Sequence, residues 1–491
     1  MQVCSSMKQR LGNEMKEDFD SQQSTKSNIR IPSKLPSSLA RNVCSQFWKN
    51  IIYSIENKDV ETVLEIVKTI DRQKQVLCLP HPFIEGIDTF PFKSIRQGMC
   101  NFIFFNDATH ENQWILCQCT SFVDAIFSKK YSGKHKLSTD QNVILNSIKQ
   151  VARKENNSDL NKFETQKALF SGYALDQTRP YHHFYDQLKW LVHLNSKRSI
   201  ICNKSFFIPR SFKKRVAETK KHPTFSMFPL VIGSNQLGIK LDKYSDKMEN
   251  IVYKDSLKDL YGGTFKYRWK QAINTIIKPP KENRTLTLWF GISGQKRIWV
   301  QQEEFLPALV QQLKPWFDSF IFLIDGFTQY EYIDGHPNDS TGVNEDQKIV
   351  NSIQQQLMPF ANISVVNLIG QTYRKKIQQC QSVDFFIANA GAGQLIPHRF
   401  CKKKGILHSN EKHCVFSMGI NNTTVKLVDK SLVKDVGNLF AKGKNKKANK
   451  SGIGFISYSI DVQVIVNMTV DMLKLKNNRQ SKIDPKAGLA N

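Results

Sequence analysis

A turn of small residues in the C-terminal half is the clearest candidate for ligand chemistry in this chain. Three apolar residues, 385–387, lead into the segment NAGAG at 389–393, and a second short apolar run follows. This order predicts a strand, a tight turn, a helix start and a further strand. Gly391 and Gly393 let backbone approach a ligand closely, and free N–H groups at a helix start attract anions. The turn at Gly391, Ala392 and Gly393 therefore suggests a holder for a diphosphate, although it is not the dinucleotide fingerprint GxGxxG; the alternative is a turn kept small for packing.

A second candidate loop carries two adjacent cations. The apolar run LTLWFGI at 286–292 is followed by SGQKRIW at 293–299, which holds a glycine, Lys296, Arg297 and an aromatic ring. This mixture suits a phosphate group with a neighbouring ring. The alternative is an exposed polar loop whose Trp299 packs inward.

Three single residues add to these two loops. Asp325 ends the apolar run SFIFLI and precedes a glycine, so its carboxylate is a candidate acceptor for a ribose or sugar hydroxyl; the alternative is an ordinary Asp-Gly turn. His398 is a further donor-binding candidate, and His408 is a weaker one, each with a core or surface histidine as its alternative. Ligands of open parallel sheets sit beyond the carboxyl ends of the strands, so these loops are expected at one sheet edge.

A histidine and a carboxylate four residues apart form the candidate catalytic pair. In the segment RPYHHFYD at 179–186, Pro180 suits the first turn of a helix, which puts His182 and Asp186 on one helical face. The carboxylate would orient the imidazole, and His182 would act as a general base toward a sugar hydroxyl. The alternative is an aromatic-rich helix start in which the histidines fill gaps. A metal is disfavoured because no third ligand lies nearby in the sequence.

The elements that must position these residues follow from the apolar pattern. Apolar strands alternate with helices from 284 to 475, which predicts a doubly wound parallel sheet covered on both faces. Residues 76–278 read as a second, less regular α/β domain, and Pro279-Pro280 as a stiff hinge. The predicted fold is therefore α/β, with two Rossmann-like domains facing across a cleft and a small helical extension at the N-terminus. The predicted division is a flexible arm at 1–40, a helical cap at 41–75, an α/β domain at 76–278, a doubly wound α/β domain at 284–475 and a tail at 476–491.

The charge of the chain points to an anionic partner. The formal net charge is +27 over 491 residues, which favours nucleic acid, anionic lipid or phosphorylated substrates. Most basic residues are dispersed and no nucleic-acid recognition motif is visible, which argues against nucleic acid. The first residues contain no apolar signal region, and the ten cysteines are too sparse for a disulfide scaffold. The expected location is cytoplasmic, with peripheral contact on the inner face of the cell membrane as an option.

Several familiar catalytic motifs are missing. The sequence contains no P-loop, no GxSxG elbow, no HExxH and no kinase signature set. It also lacks an Asp-x-Asp pair flanked by apolar residues, which metal-dependent nucleotide-sugar transferases of the single-domain type would show. The prediction is chemistry without a metal ion or cofactor.

Four segments together resemble bacterial glycosyltransferases of the GT-B architecture, of the kind found in capsule and lipopolysaccharide biosynthesis. They are SGYALDQTRPYHHFYDQL, LWFGISGQKRIWVQQ, IFLIDGFT and DFFIANAGAGQLIPHRFCKKKGILHSN, within 170–410. The resemblance implies transfer of a sugar from a nucleotide-sugar donor to a hydroxyl of a glycan or glycolipid acceptor. The Glu that lies near the donor ribose in many such enzymes is not identifiable here.

The resemblance also implies roles for particular residues. Gly391, Ala392 and Gly393 would line the donor diphosphate, and Lys296 and Arg297 would neutralise its charge. A base near His182 follows by location only. Two other functions stay open: a different polysaccharide-modifying transferase on the same fold, and a non-catalytic basic protein that binds nucleic acid or anionic membrane.

Overall fold

The computed structural model describes most of the chain in separate stretches. The described residues are 43–57, 59–72, 77–98, 100–119, 121–128, 132–134, 141–156, 172–175, 177, 179–202, 204–213, 216–217, 224–226, 243–258, 260, 284–333, 340–414, 424–439 and 453–475. The predicted arm at 1–40, the hinge Pro279-Pro280 and the tail at 476–491 lie outside them. No helix among these stretches is long and apolar enough to cross a membrane.

The chain divides into two compact units. Unit 1 holds the described residues within 1–233, 243–248 and 332–334, and unit 2 holds those within 249–331 and 335–491. Each unit contains its own sheets.

Unit 1 contains a six-stranded antiparallel meander in which each strand pairs with the next along the chain. Its strands are β1 (Leu79–Pro80), β2 (Asp88–Gln97), β3 (Cys100–Asn106), β4 (Trp114–Gln118), β5 (Ala125–Ser128) and β6 (Ser132–Lys134). The apolar runs NFIFFN and WILCQ form β3 and β4. Three helices belong to the same part of the chain: Gln46–Glu56, Val60–Arg72 and Gln141–Asn156.

A small parallel sheet is the second element of unit 1. It consists of β7 (Gly172–Ala174), β8 (Ser199–Ile201), β10 (Val216–Ala217) and β11 (Thr224–Ser226), in the order β10-β8-β7-β11. The short strand β9 (Lys204–Ser205) pairs with β14 (Tyr332–Ile333). The helices are Pro180–His182, a π-helix His183–Leu188, Lys189–Leu194 and Arg210–Lys213, and a longer helix, Lys243–Leu257, begins in this unit's sequence.

Unit 2 is built on a six-stranded parallel sheet. Its strands are β12 (Thr285–Gly291), β13 (Ser319–Asp325), β15 (Ile363–Asn367), β16 (Phe385–Asn389), β17 (Lys404–His408) and β18 (Val425–Leu427). Their spatial order is β15-β13-β12-β16-β17-β18, and all neighbours are parallel. Counted along the chain, this is the 3-2-1-4-5-6 order of a doubly wound sheet, whose strand order reverses between β12 and β16. The predicted parallel α/β sheet is confirmed.

Helices complete unit 2. The α-helices are Gln302–Leu313, Ser340–Leu357, Tyr373–Gln379, Glu411–Cys414 and Val462–Leu473. Short 3-10 helices cover Cys380–Ser382, Ala392–Gln394, Lys430–Leu432 and Ile453–Phe455, and a π-helix covers Leu395–Phe400. The pair β19 (Lys434–Gly437) and β20 (Ser457–Ser459) is antiparallel.

The strand sequences explain why this sheet is internal. All residues of β16 are buried, as are six of the seven of β12, because their side chains are apolar on both faces. Leu288, Phe290 and Ile387 pack in one core cluster with Phe305 and Leu309 of the helix that follows β12. The polar side chains of unit 2 that concern function come after the strands end.

Candidate functional site

The loops after β12 and β16 meet at the point where the strand order reverses. Phe290 pairs with Ile387 near the carboxyl ends of these neighbouring strands. A Cβ atom added to Gly291 would lie 3.2 Å from the Cβ of Ala388, so the two strand ends approach closely. Ligands of doubly wound sheets bind in the crevice at this switch point. The cationic loop and the small-residue turn, predicted separately, therefore lie at one place.

The Arg297 side chain lies directly against the Gly391 turn. Gly391 has φ 98° and ψ −126°, a backbone conformation that residues with a Cβ rarely adopt. A Cβ at this position would also lie 3.0 Å from both Nη1 and Nη2 of Arg297. A side chain at this position would have to displace the guanidinium by a few tenths of an ångström, and the positive φ also favours glycine.

One nitrogen of the Arg297 guanidinium donates to the protein, and another has no partner among the described residues. Nη1 donates to Nε2 of His413 over 2.5 Å, and Nε has no partner among the described residues. Burial lowers the pKa of Arg297, with Tyr458 acting in the opposite direction. Burial, and next the charge of Arg297, lowers the pKa of His413 to about 4. At neutral pH a neutral imidazole thus holds an arginine that stays charged.

The Gly391 turn continues into a tight helical run. The 3-10 helix Ala392–Gln394 is followed by the π-helix Leu395–Phe400. The N–H of Gly391 donates to no described residue. Together with Arg297 Nε, it supplies a hydrogen-bond donor at a place where the sheet order predicts a ligand.

His398 lies on the π-helix behind the turn. Its Nδ1 is 3.3 Å from Oε1 of Gln394, and its ring stacks on Phe386 with centroids 6.3 Å apart. Burial, then Arg399 and Lys402, lowers its pKa to about 3. His398 is therefore neutral at physiological pH, so it would contribute a hydrogen bond and not a positive charge.

Lys296 and Trp299 turn in different directions from Arg297. Lys296 is exposed, with its Nζ 4.9 Å from the ring centroid of Phe455. Trp299 is 2% exposed, and its Nε1 donates to the carbonyl of Ile460 over 3.0 Å. The inward tryptophan expected of a plain polar loop is present, yet the same loop also delivers Arg297 to the switch point.

Asp325 is held in a buried ion pair. Its Oδ1 accepts from Nζ of Lys376 over 2.6 Å, and both side chains are almost fully buried. The same ammonium donates to the carbonyls of Gly326 and Phe327 and to the hydroxyl of Thr328. Burial raises the pKa of Asp325, and Lys376 opposes this. The pair fixes the loop after β13, and a hydroxyl ligand would have to share the carboxylate with Lys376.

Asp346 joins two of the loops, although nothing in the sequence marks it. It lies in the helix Ser340–Leu357, 5% exposed, and accepts from the N–H of Gly294 through Oδ1 at 2.7 Å and of Phe327 through Oδ2 at 2.6 Å. A Cβ on Gly326 would lie 2.5 Å from Oδ2. Burial raises the pKa of Asp346 to about 6, against the two backbone hydrogen bonds.

The raised pKa predicts a specific pH dependence of stability. Because the folded state holds the Asp346 proton up to a pKa of about 6 and the unfolded state releases it near 3.8, this group costs stability as pH rises through that window, by roughly 3 kcal/mol at most. Asp346→Asn replaces the titrating carboxyl group with an amide that does not titrate in this pH range. The unfolding free energy of the wild type minus that of the variant should therefore be larger at pH 4.5 than at pH 7.5 in urea denaturation. A difference that grows with pH would contradict the assigned cause.

The predicted contact between His182 and Asp186 forms in unit 1. Nδ1 of His182 and Oδ2 of Asp186 are 2.5 Å apart, and their side chains are 35% and 7% exposed. Pro180 is at the first helical position, as predicted. Asp186 lies in the π-helix His183–Leu188, a geometry that often marks functional sites. Since the carboxylate engages Nδ1, Nε2 is the nitrogen left to accept a proton.

The neighbours of His182 form the core that the alternative predicted. Phe184 and Tyr185 are buried, and Tyr181 stacks on Tyr185 with centroids 4.7 Å apart. His183 is fully buried, with Nε2 3.0 Å from the carbonyl oxygen of Phe207. Phe184, Tyr185 and His183 pack inside while His182 remains partly exposed, so core packing and an accessible imidazole coexist in one helical run.

Asp346, His413 and Tyr458 were missed by the sequence analysis. The only signal for His413 was its position shortly after a strand end, and Tyr458 stands in an unremarkable run, SYSID. No group of three or more His, Cys, Asp or Glu side chains that would hold a metal ion occurs in the described stretches.

Comparisons with known proteins give weak likenesses. No family model matches the sequence, and no curated protein matches it. The E. coli heptosyltransferase WaaC with ADP-2-deoxy-2-fluoro heptose matches with a TM-score of 0.23 and 9% identity, over 58% of this chain and 70% of that one. The dodecameric iron-containing heptosyltransferase TibC in complex with ADP-D-beta-D-heptose gives 0.26 and 10%, over 67% and 79%.

A third solved structure is named as a UDP-forming alpha,alpha-trehalose-phosphate synthase from Burkholderia vietnamiensis. It matches with a TM-score of 0.22 and 9% identity, over 48% of this chain and 57% of that one. At these scores the likenesses carry no argument, and the functional inference rests on this chain's own geometry.

Proposed function

We propose that this protein is a glycosyltransferase that moves a sugar from a nucleotide-sugar donor to a hydroxyl of a glycan or glycolipid acceptor, without a metal ion. The observation that carries the proposal is the switch point of the 3-2-1-4-5-6 sheet, where the Arg297 guanidinium lies on the Gly391 turn. A diphosphate is the common ligand group that requires both a close backbone approach and a fixed cation.

In the proposed donor site, the turn and the cationic loop bind the diphosphate. Gly391, Ala392 and Gly393 line it, Arg297 neutralises its charge, and the exposed Lys296 adds a second cation. Asp325 and His398 complete the donor-binding set as hydrogen-bonding groups. As the donor bond breaks, negative charge grows on the leaving diphosphate, and preset donors stabilise that charge more than they stabilise the intact donor. In this proposal Arg297 and Lys296 neutralise the charge on the leaving diphosphate, a role that a metal ion has in metal-dependent transferases.

In the proposed acceptor step, His182 is the general base. A bond forms between the acceptor oxygen and the anomeric carbon while the bond from that carbon to the diphosphate breaks. The leaving diphosphate takes the electron pair, and Nε2 of His182 takes the hydroxyl proton. Asp186 holds Nδ1 and stabilises the imidazolium that results. In this assignment unit 2 is the donor side of the enzyme and unit 1 is the acceptor side.

Thermal unfolding with UDP, GDP, CMP and ADP tests the donor site. A ligand that binds only the folded state at about 100 times its Kd adds roughly 2.7 kcal/mol of stability. We expect one of these nucleotides to raise Tm in the presence of EDTA, and the matching nucleoside without phosphate to have little effect. If no nucleotide raises Tm, while DNA or anionic vesicles bind with a steep dependence on salt, the protein is a basic binding module instead.

A further inference from the structure

A chain of buried polar side chains runs beneath Arg297. Asn389, the last residue of β16, places its Nδ2 3.0 Å from the carbonyl oxygen of Arg297 and 3.0 Å from the hydroxyl of Tyr458. That hydroxyl lies 2.7 Å from Nδ1 of His408, the last residue of β17. Asn389, Tyr458 and His408 are 8%, 0% and 1% exposed, so water does not compete for these bonds.

The carbonyl of Arg297 sets the direction of this chain. A carbonyl oxygen only accepts, so the amide of Asn389 must present its NH2 group there, and its second proton reaches the Tyr458 hydroxyl. The hydroxyl then uses its own proton toward Nδ1 of His408. This direction requires a neutral His408 with its proton on Nε2, a nitrogen that has no hydrogen-bond partner among the described residues. Burial independently lowers the pKa of His408 to about 3.

The backbone beside Arg297 is clamped by the same strand that carries Tyr458. The N–H of Tyr458 donates to the carbonyl of Ile298 over 2.9 Å, and the N–H of Val300 donates to the carbonyl of Tyr458 over 2.9 Å. Asn389 and β20 thus hold the main chain at Arg297 and directly after it.

Arg297 needs such support because its backbone is left-handed. Its φ is 52°, and a residue with a Cβ adopts this left-handed conformation only at an energetic cost. The hydrogen bonds from Asn389 and from β20 offset this cost. A left-handed residue that is held by two strands points to a side chain whose placement matters.

We propose that Asn389, Tyr458 and His408 are positioning residues that hold Arg297 in its left-handed conformation, so that the donor diphosphate meets a cation already in place. The proposal rests on the proposed function for its ligand. It does not rest on that function for its geometry, which can be measured without any ligand.

The variant that tests the chain of buried polar side chains is Tyr458→Phe, which keeps the ring and removes the hydroxyl. Tyr253→Phe is the matched control, because its hydroxyl also bonds a side chain in unit 2, Oε1 of Gln381 at 2.9 Å, away from the switch point. Phenylglyoxal modification of Arg297, followed by mass spectrometry, reports how accessible the guanidinium is. We expect the modification rate to rise at least about fivefold in Tyr458→Phe, since a loosened guanidinium leaves its contacts with Gly391 and His413, and to stay unchanged in Tyr253→Phe.

Binding measurements complete the test. The Kd for whichever of UDP, GDP, CMP or ADP stabilises the wild type should rise about 5–20-fold in Tyr458→Phe, because a smaller fraction of molecules has the competent loop. The 15N signals of His408, assigned with His408→Gln, should show the proton on Nε2. An unchanged rate of Arg297 modification in Tyr458→Phe would refute the positioning role of Asn389, Tyr458 and His408. A proton on Nδ1 of His408 would refute it as well. If the wild type binds none of the four nucleotides, the proposed function fails. The modification rate and the His408 tautomer still test whether the three residues position Arg297.

Discussion

Arg297→Met is expected to lower kcat by roughly 10²–10³-fold, the usual cost of losing one preset group that stabilises charge in a transition state. Methionine keeps much of the side-chain length and removes the guanidinium that lies nearest to Gly391. Nucleotide binding should weaken as well, because the diphosphate is already charged in the ground state. Release of nucleoside diphosphate from the donor, measured at saturating and limiting concentrations, separates the two effects.

Arg284→Met is the matched control for this variant. Arg284 directly precedes β12, at the opposite end of the strand that Arg297 follows, and its 59% exposed side chain makes only a loose ion pair with Asp318 at 3.8 Å. The same loss of one charge there should leave turnover unchanged. Arg297→Lys should be intermediate, since an ammonium keeps the charge but not the planar fork. Equal activity of Arg297→Met and Arg284→Met would remove Arg297 from the site.

His182→Gln is expected to lower kcat by about 10²–10⁴-fold and to leave the nucleotide Kd unchanged, because a general base acts on the acceptor and not on the donor diphosphate. Asp186→Asn should also lose activity. Its amide can donate to Nδ1 and so favour the tautomer whose Nε2 carries a proton and cannot accept one. The measurement is kcat for donor turnover with acceptor present, together with the thermal shift by nucleotide.

His193→Gln is the control for the imidazole. His193 lies in the same helical run, in Lys189–Leu194, and its ring contacts Tyr244 with centroids 4.4 Å apart. It makes the same chemical change without touching the proposed pair. Wild-type turnover in His182→Gln would mean that another group is the base, while the donor site would be unaffected by that result.

The strands and their loops were predictable from the sequence because they depend on local pattern. The runs around Leu288, Phe322 and Phe386 are apolar at consecutive positions, which only strands covered on both faces tolerate, and the structure has β12, β13 and β16 there. Once the strands are known, the loops after them must share the carboxyl edge. The i,i+4 pair of His182 and Asp186 was predictable for the same reason, since both residues lie on one turn of helix.

Which cations face the site was not predictable. The triplet Lys402, Lys403 and Lys404 looks like an anion-binding run, yet each ammonium donates to the protein, to Glu249, to the Gln381 carbonyl and to the Met472 carbonyl. Of the neighbours Lys296 and Arg297, only Arg297 lies on the turn. A lysine or arginine reads the same in the sequence whether its acceptor is a ligand or another part of the chain.

The sequence by itself therefore determined a parallel α/β sheet, the loops at its carboxyl edge and the pairing of His182 with Asp186. Only the tertiary structure decided that Arg297 lies against Gly391 and that Lys376 forms an ion pair with Asp325. It also decided that Asp346 accepts hydrogen bonds from two loops and that the Tyr458 hydroxyl bonds Asn389. The partners in these contacts are from 19 residues apart in the chain (Phe327 and Asp346) to 94 apart (Arg297 and Gly391). Helix and strand periods record only near neighbours, so contacts at such separations exist only after the strand order has brought the loops together.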